Sequence, residues 1–323
     1  MERRKFFGTT ALGGVFLGSG AGITGSENSL AAPSDTEEIV IERSMSGQPH
    51  KGKVLAIVVD DTPLHCAGTC AKLINEGYTG YLIRTTNNEK NGDGTTGENI
   101  LNNEQEIFKI AETLGITDVF EFYYRQHRLH SLPLLDIRFR MIFIFRYLKV
   151  DTVISYNPWA QGEENPDHLV TGRVVEEASW MAGIQTHLPE QFEAGISTHT
   201  VKERYYMVTC PEQPFNRVVD ISSTKEQKIK AIVESKSQGG GNRGSELRNQ
   251  LARQNKRIPM LGIDNDTADR EFARNFLLHY YSSFDGMEQY SLQYAERFYY
   301  IDQRKTEIES KIDEFVEKHA VRS

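Results

Sequence analysis

The chain has 323 residues, enough for one large α/β domain or two smaller ones. Its composition is that of an ordinary globular protein, with 38% hydrophobic, 25% charged and 10% aromatic residues. The formal net charge of -8 argues against a nucleic-acid partner, and no segment has the character of a stable membrane span.

The first residues resemble a targeting signal rather than part of a fold. Arg3 and Arg4 form a twin arginine, followed by a weakly apolar, glycine-rich stretch and by small residues suited to cleavage at 29–33. Because these features are similar to a bacterial twin-arginine export signal, we expect an exported protein, periplasmic or extracellular. The alternative is a chance basic start on a disordered tail. Residues 1–35 are therefore left out of the predicted fold.

Apolar runs alternate with amphipathic segments along the rest of the chain. Strands are predicted at 54–59, 79–85, 118–122, 152–156, 204–208 and 217–221. Helices are predicted at 61–76, 102–114, 134–149, 166–181 and 222–235. This alternation is typical of an α/β fold, a parallel sheet with helices on both faces.

The last third of the chain has a different pattern. A Gly-rich stretch at 238–244 predicts flexibility, and the segments 267–300 and 306–320 read as helical. The predicted boundaries are therefore a sheet domain at 36–236 and a Gly-rich linker with a helical C-terminal extension at 237–323.

Two adjacent carboxylates, Asp60 and Asp61, end the first predicted strand. Ligands of parallel sheets bind just beyond the carboxyl ends of the strands. Two carboxylates at such a place suit metal chemistry, because one can hold a metal ion while the other moves a proton. The alternative is structural, since Asp is also a favoured helix N-cap.

More polar residues follow other predicted strands at the same edge of the sheet. Asn87 and Glu89 come after the second strand, and the motif Asn165–His168 (Asn-Pro-Asp-His) comes after the fourth. His and Asp are good zinc ligands when a fold brings them together. A lone His is more often structural, but the coincidence at one sheet edge favours a site.

Several motifs, in this order, resemble the PIG-L (LmbE-like) de-N-acetylase family over about residues 51–235. The resemblance rests on the strand with Asp60-Asp61, the segment Thr85–Glu89, and the motif Asn165–His168 with Thr171-Gly172 after it. The longer match, with Glu163-Glu164 before Asn165 and with 216–223, is similar to a bacterial exported branch of the family.

The resemblance implies a Rossmann-like α/β fold and a zinc-dependent hydrolase that removes an acetyl group from an N-acetylated amino sugar or a related amide. It makes Asp61 and His168 zinc ligands and Asp60 the general base, which takes a proton from a metal-activated water. Asn165 stands where the family often has a His that polarises the carbonyl or protonates the leaving amine. An Asn there can donate a hydrogen bond but not a proton at neutral pH.

The chain departs from the family pattern just before the paired aspartates. The family has His-Pro-Asp-Asp, and its His is the third metal ligand, whereas Val58 and Val59 precede Asp60 here. His65 lies four residues after Asp61, on the same predicted helix face, and is a candidate substitute ligand. A packed or surface histidine is the alternative.

Four side chains from the loops at this edge are candidate substrate-binding residues. They are Asn87, Glu89, His127 and Trp159. His127 and the nearby His130 follow the third strand, where solvated loop residues are the alternative interpretation. An aromatic ring such as that of Trp159 can stack on a sugar.

The sequence therefore predicts an exported, zinc-dependent N-deacetylase that acts on a small molecule or a glycan. The alternative, from another class, is a catalytically impaired relative that is retained as a carbohydrate-binding protein. A phosphoryl-transfer enzyme is a third hypothesis, because Val58–Thr62 superficially resembles a nucleophilic Asp motif. It has little weight, since the spacer between the aspartates of that motif is missing.

Overall fold

The structure of the chain is a computed structural model that describes residues 39–210, 212–281, 284–285, 288–302 and 307–321. The predicted export signal lies outside the described residues. The strands are β1 (Val40–Glu42), β2 (Val54–Val59), β3 (Thr79–Thr86), β4 (Asp118–Tyr124), β5 (Thr152–Tyr156), β6 (Glu203–Met207), β7 (Arg217–Asp220), β8 (Phe284–Asp285) and β9 (Tyr294–Asp302). The helices are α1 (Ala67–Asn75), α2 (Thr96–Leu114), α3 (Leu134–Leu148), α4 (Pro166–Met181), α5 (Glu190–Glu193), α6 (Lys225–Glu234), α7 (Arg243–Ala252), α8 (Asn265–Phe272), α9 (Leu278–Tyr280) and α10 (Glu307–His319).

The described strands form one mixed sheet in the order β1-β7-β9-β6-β5-β2-β3-β4, with β8 beside β9. β2 lies between β3 and β5 and is parallel to both. β9 is antiparallel to β6 and β7, between which it lies. The α/β fold predicted from the sequence, a largely parallel sheet with helices on both faces, is confirmed, with β9 as an antiparallel addition.

The helix predicted at 267–300 includes most of the segment that forms β9, and the prediction is wrong for residues 294–300. Glu296, Phe298 and Tyr300 are all buried, and they recur at every second residue, which is the periodicity of a strand. Aromatic residues also favour strands, because they pack well on a pleated surface. The C-terminal third therefore contributes to the sheet as well as several helices.

The side chains of β2 alternate between two apolar cores, one on each face of the sheet. Leu55, Ile57 and Val59 belong to the core that contains residues of α1, α2 and α6. Ala56 and Val58 belong to the core that contains residues of α3 and α4. Because both faces of β2 are buried, its sequence is a continuous apolar run, as expected for a central parallel strand.

The chain changes direction across the sheet at β2. It continues through β3 to β4 on one side, whereas β5 and then β6 lie on the other side. Such a topological switch point leaves a crevice at the carboxyl ends of the two diverging strands, where α/β proteins bind their ligands. Asp60 and Asp61 follow β2 directly, and Tyr156 ends β5. The fold therefore gathers these side chains at the crevice.

The start of α4 is fixed tightly against β5. The side chain of Asn165 caps the helix by accepting a hydrogen bond from the backbone N–H of Asp167, and Pro166 occupies the first turn. A Cβ at Gly172 would lie 2.4 Å from the carbonyl oxygen of Tyr156, so only glycine allows this close approach. The close packing brings His168, one turn earlier, beside the end of β5.

Two helices begin six residues away from their predicted starts. The helix predicted at 61–76 begins at Ala67, because a short 3₁₀ turn at Leu64–Cys66 follows Pro63. The helix predicted at 102–114 begins at Thr96, after a capping box between Thr95 and Glu98. The domain boundaries drawn from the sequence stay a prediction. Within the described residues, no helix combines the length and apolarity needed to cross a membrane.

Candidate active site

Asp60, Asp61 and His168 converge at the crevice between β2 and β5. Each offers one potential metal-ligating atom, and these atoms lie within 4.8 Å of one another. His168 Nε2 is 3.3 Å from Asp60 Oδ1 and 3.9 Å from Asp61 Oδ2. The side chains are 0%, 9% and 12% exposed for Asp60, Asp61 and His168, respectively. Two segments more than 100 residues apart therefore form one cluster.

Asp61 is oriented by hydrogen bonds to both of its carboxylate oxygens. The hydroxyl of Tyr156 and the backbone N–H of Thr62 donate to Oδ1, over 2.7 and 2.5 Å. The side-chain amide of Gln238 donates to Oδ2. Oδ2 is also the oxygen that faces His168. The carboxylate is thus held with one oxygen turned toward the shared centre.

Asp60 is held differently, through its backbone and one oxygen. Its carbonyl oxygen accepts hydrogen bonds from the N–H and the hydroxyl of Thr86 at the end of β3, over 3.1 and 2.7 Å. The amide of Asn165 donates to Oδ2 over 3.3 Å. Oδ1 has no hydrogen-bond partner among the described residues, although it is buried and faces His168.

His168 is stacked on Tyr156, with ring centroids 3.8 Å apart and planes at 9°. Its Nδ1 lies 3.1 Å from Glu163 Oε1, while its Nε2 faces the two aspartates. Within the described part of the chain, neither ring nitrogen makes a hydrogen bond of suitable geometry. A buried polar atom without a hydrogen bond is costly, and a cation bound between Nε2 and Asp60 Oδ1, which lie 3.3 Å apart, would satisfy both atoms.

The charges of the cluster also fit a cation. Burial and the charge of Asp61 raise the pKa of Asp60 to about 8. Burial opposes ionisation of Asp61 too, but His168 and the hydrogen bond from Tyr156 hold its pKa below the ordinary range. Although burial disfavours a charged imidazole, Asp60, Asp61 and Glu163 raise the pKa of His168 to about 11. A divalent cation would favour the deprotonated forms of Asp60 and His168, because metal ligands bind without their protons.

A cavity of about 220 Å³ opens next to the cluster. Most of its lining side chains are polar, and two tyrosines, Tyr280 and Tyr281, add aromatic rings. The lining residues are Asp61, Thr62, His65, Asn91, Gln126, His127, Asn165, His168, Gln238, Tyr280 and Tyr281. The cluster is therefore accessible to a small polar ligand.

The two other histidines proposed from the sequence, His65 and His127, line this cavity. His65 lies outside the metal-ligating cluster and packs edge-on against Tyr281, with centroids 5.4 Å apart. Its role as a substitute ligand stays a prediction. His127 is exposed, with its Nδ1 3.4 Å from Lys90 Nζ. The backbone N–H groups of His127 and Leu129 donate to the buried carboxylate of Asp167, which holds this loop beside the site.

The remaining predicted residues do not line the cavity. Asn87 and Glu89 are buried and hydrogen-bonded to each other, and Glu89 pairs with Arg125 at 2.9 Å. Trp159 is 56% exposed and packs against Tyr206 of β6. His130 is exposed in the loop after β4. Their substrate-binding roles stay predictions, because the described contacts do not bring them to the cluster.

Three residues of the site were not singled out from the sequence. Tyr156 ends β5 at the predicted sheet edge, so its position alone would have identified it. Glu163 was part of the longer motif match before α4, but nothing in the sequence assigned it a role in the site. Gln238 reaches Asp61 from a turn 177 residues later, and only the fold reveals this contact. Gly241 belongs to that turn, where a Cβ would lie 2.4 Å from the carbonyl oxygen of Val233.

Solved structures share this fold. The N,N'-diacetylchitobiose deacetylase of Pyrococcus horikoshii is 22% identical, with a TM-score of 0.59, over 77% of this chain and 84% of that one. A conserved protein of Thermus thermophilus is 19% identical, with a TM-score of 0.52, over 78% and 94%. The 4-carboxy-2-hydroxymuconate hydratase of Pseudomonas putida KT2440 is 17% identical, with a TM-score of 0.51, over 78% and 98%. At these identities the likeness establishes the fold, and the hydratase shows that the fold alone does not fix the reaction.

The family comparison covers the candidate site itself. Residues 59–179 match the PIG-L family, described as GlcNAc-PI de-N-acetylase. That range contains Asp60, Asp61, Asn165 and His168, together with the crevice between β2 and β5. The chain therefore carries a PIG-L domain at residues 59–179, and the family resemblance predicted from its motifs is confirmed.

Proposed function

We propose that this chain is a metal-dependent hydrolase that removes an acetyl group from an N-acetylated amino sugar or a related amide. One observation carries the proposal: inside a PIG-L domain, the ligating atoms of Asp60, Asp61 and His168 lie within 4.8 Å of one another. Asp60 Oδ1 and His168 Nε2, which face each other without a hydrogen bond, support a cation at this place. Zinc is the proposed ion, since it accepts both carboxylate and imidazole ligands.

Asp61 and His168 would hold the metal, with Asp60 beside them. When bound, the ion supplies positive charge to the amide carbonyl oxygen and activates water at neutral pH. Tyr156 supports both ligands, because its hydroxyl donates to Asp61 and its ring stacks on His168. The protein groups therefore fix the two ligands before any substrate enters.

Asp60 is the proposed general base. A water adds to the acetyl carbonyl carbon while its proton passes to the Asp60 carboxylate. The proton on Asp60 passes to the nitrogen as the C–N bond breaks, so that the amine and acetic acid leave, and the acid then ionises to acetate in water. Asn165 donates to Asp60 Oδ2 and so orients the carboxylate. Because Asn165 has no proton to give, one carboxylate serves both transfers in this proposal.

The proposed substrate is hydrophilic. The cavity of about 220 Å³ has room for an acetamido group, and a second cavity of about 460 Å³ shares Gln238 with it. The second cavity is lined almost entirely by polar or charged side chains, among them Glu106, Asn242 and Arg243. Such a lining suits hydroxyl groups better than an acyl chain. An N-acetylated sugar fits this combination.

The test is acetate release by the purified chain. The protein is stripped with a chelator, reloaded with zinc, and incubated with N-acetylglucosamine and with N,N'-diacetylchitobiose. We expect acetate and the free amine in equal amounts from at least one sugar, no release by the stripped protein, and none by Asp61→Ala. Equal release by the stripped and reloaded proteins would contradict the proposal.

One observation favours the second candidate, an impaired relative that binds carbohydrate. The family's first His is missing here: Val58 and Val59 precede Asp60, and both are fully buried apolar residues that offer no ligand. If the zinc-loaded protein released no acetate but bound these sugars in calorimetric titrations, the binding function would replace the enzyme.

We also propose that the chain is exported through the twin-arginine signal at residues 1–35. The support is Arg3-Arg4 and the glycine-rich stretch that follows. Changing both arginines to lysine should trap the protein in the cytoplasm of a bacterial host, and normal export of that variant would refute the proposal.

A further inference from the structure

Glu163 contacts His168 from the side opposite to the aspartates. It lies in the loop between β5 and α4, and its side chain is 11% exposed. Oε1 lies 3.1 Å from His168 Nδ1 and accepts the backbone N–H of Asn165 over 3.0 Å. Oε2 accepts the hydroxyl of Thr209 over 3.1 Å. The carboxylate is thus anchored to two other segments as well as facing the imidazole.

The imidazole of His168 is confined on three sides. Glu163 lies at Nδ1, the aspartates lie at Nε2, and the ring of Tyr156 covers one face. A neutral imidazole carries a proton on one nitrogen and a lone pair on the other. A carboxylate at Nδ1 favours the proton there, which leaves the lone pair of Nε2 directed at the aspartates.

We propose that Glu163 is a positioning residue that fixes the Nδ1–H tautomer and the ring orientation of His168, so that Nε2 is available to a metal ion. This inference rests on the proposed metal-dependent function. The absence of the family's first His strengthens this inference. Because Val58 and Val59 precede Asp60, His168 is the one imidazole among the clustered residues. The orientation of that ligand then matters more than it would beside a second histidine.

Zinc affinity of the isolated protein tests the proposal without an activity assay. The stripped protein competes with a chromophoric chelator for zinc, and wild type is compared with Glu163→Gln, which keeps the shape but loses the charge. We expect about 10- to 100-fold weaker binding for Glu163→Gln. Glu164→Gln is the matched control, since Glu164 is the exposed neighbour, and its affinity should equal that of wild type.

A second measurement separates positioning from a merely structural role. In ¹H–¹⁵N spectra of the zinc-loaded proteins, the His168 ring should show a single Nδ1–H tautomer in wild type and a changed nitrogen signature in Glu163→Gln. Thermal melting of the stripped variants checks that both remain folded. Unchanged zinc affinity and an unchanged ring signature in Glu163→Gln would overturn this inference alone. If wild type bound no zinc, the proposed function would fall together with it.

Discussion

Two clusters of buried charge lie near the end of β2, and they differ in how their polar atoms are satisfied. In one, Lys228 of α6 donates to Glu296 of β9 over 2.6 Å and also to the carbonyl oxygen of Tyr281. Glu296 in turn accepts the backbone N–H groups of Gly68 and Thr69 in the first turn of α1. Every charged group of this cluster has its partners, and a carboxylate at a helix N-terminus is favourable.

The other cluster, Asp60, Asp61 and His168, leaves Asp60 Oδ1 and His168 Nε2 without hydrogen bonds inside the described part of the fold. Both clusters are largely buried, and the second one lines a cavity through Asp61 and His168. A fully paired network stabilises a fold, whereas an incompletely paired one beside a cavity is typical of a binding site. The comparison therefore assigns stability to the first cluster and chemistry to the second.

The largest expected effect is the loss of turnover in Asp60→Asn. Because Asp60 is the proposed proton acceptor, we expect kcat to fall by about 10²- to 10⁴-fold. The free energy of unfolding should not fall, since the substitution removes one of two adjacent buried carboxylates. Acetate release and urea unfolding measure the two quantities. Asp118→Asn, at the exposed start of β4, is the control and should keep full activity. A kcat close to that of wild type in Asp60→Asn would remove this residue from the mechanism.

The paired cluster should respond in the opposite way. Lys228→Met leaves Glu296 buried without its cation, so we expect the free energy of unfolding to fall by about 3–5 kcal/mol. Lys230→Met, on the exposed side of the same helix, should change it by less than about 0.5 kcal/mol. Urea denaturation of the stripped proteins measures both. Equal stability of the two variants would mean that the Lys228–Glu296 pair does not hold β9 and α6 to α1.

A smaller effect is expected for His65, which lies between the two clusters. Burial and the charge of Lys228 lower the pKa of His65 from 6.5 to about 4. Between these two pH values, His65 binds a proton in the unfolded chain but not in the folded one. The free energy of unfolding should therefore decrease as the pH falls from 6.5 toward 4. The loss is bounded by about 3.5 kcal/mol, at roughly 1.4 kcal/mol for each pKa unit.

His65→Phe removes this titration and keeps a ring against Tyr281. In the stripped protein, its stability should depend less on pH across that window than the stability of wild type. His130→Phe, at an exposed loop position, is the control and should follow wild type. Identical pH profiles for His65→Phe and wild type would show that His65 is not held neutral by its surroundings.

Local patterns were sufficient to predict one of the two clusters. Asp60-Asp61 follow an apolar run, and His168 follows a loop with Pro and Gly, so each position could be assigned to a strand end or a helix start. Parallel topology then places both at one edge of the sheet. The missing family His was also visible, because Val58 and Val59 continue the apolar run of β2 up to Asp60.

The second cluster and the outer part of the site could not be predicted. Lys228 and Glu296 are 68 residues apart, and their pairing depends on β9 inserting antiparallel between β6 and β7. Gln238 contacts Asp61 through a glycine-rich turn whose composition indicated a flexible stretch. Contacts of this kind depend on long-range packing, which leaves no periodicity in a single sequence.

The metal content of the purified chain tests the central claim most directly. Wild type and His168→Ala are stripped, supplied with zinc, dialysed, and measured for bound metal and for protein. We predict about one zinc per wild-type chain, because the described residues contain one cluster of potential metal-ligating side chains, and a loss of that zinc in His168→Ala. Wild type without bound metal, or a variant that retains it, would contradict the claim that these two distant segments together bind one divalent cation.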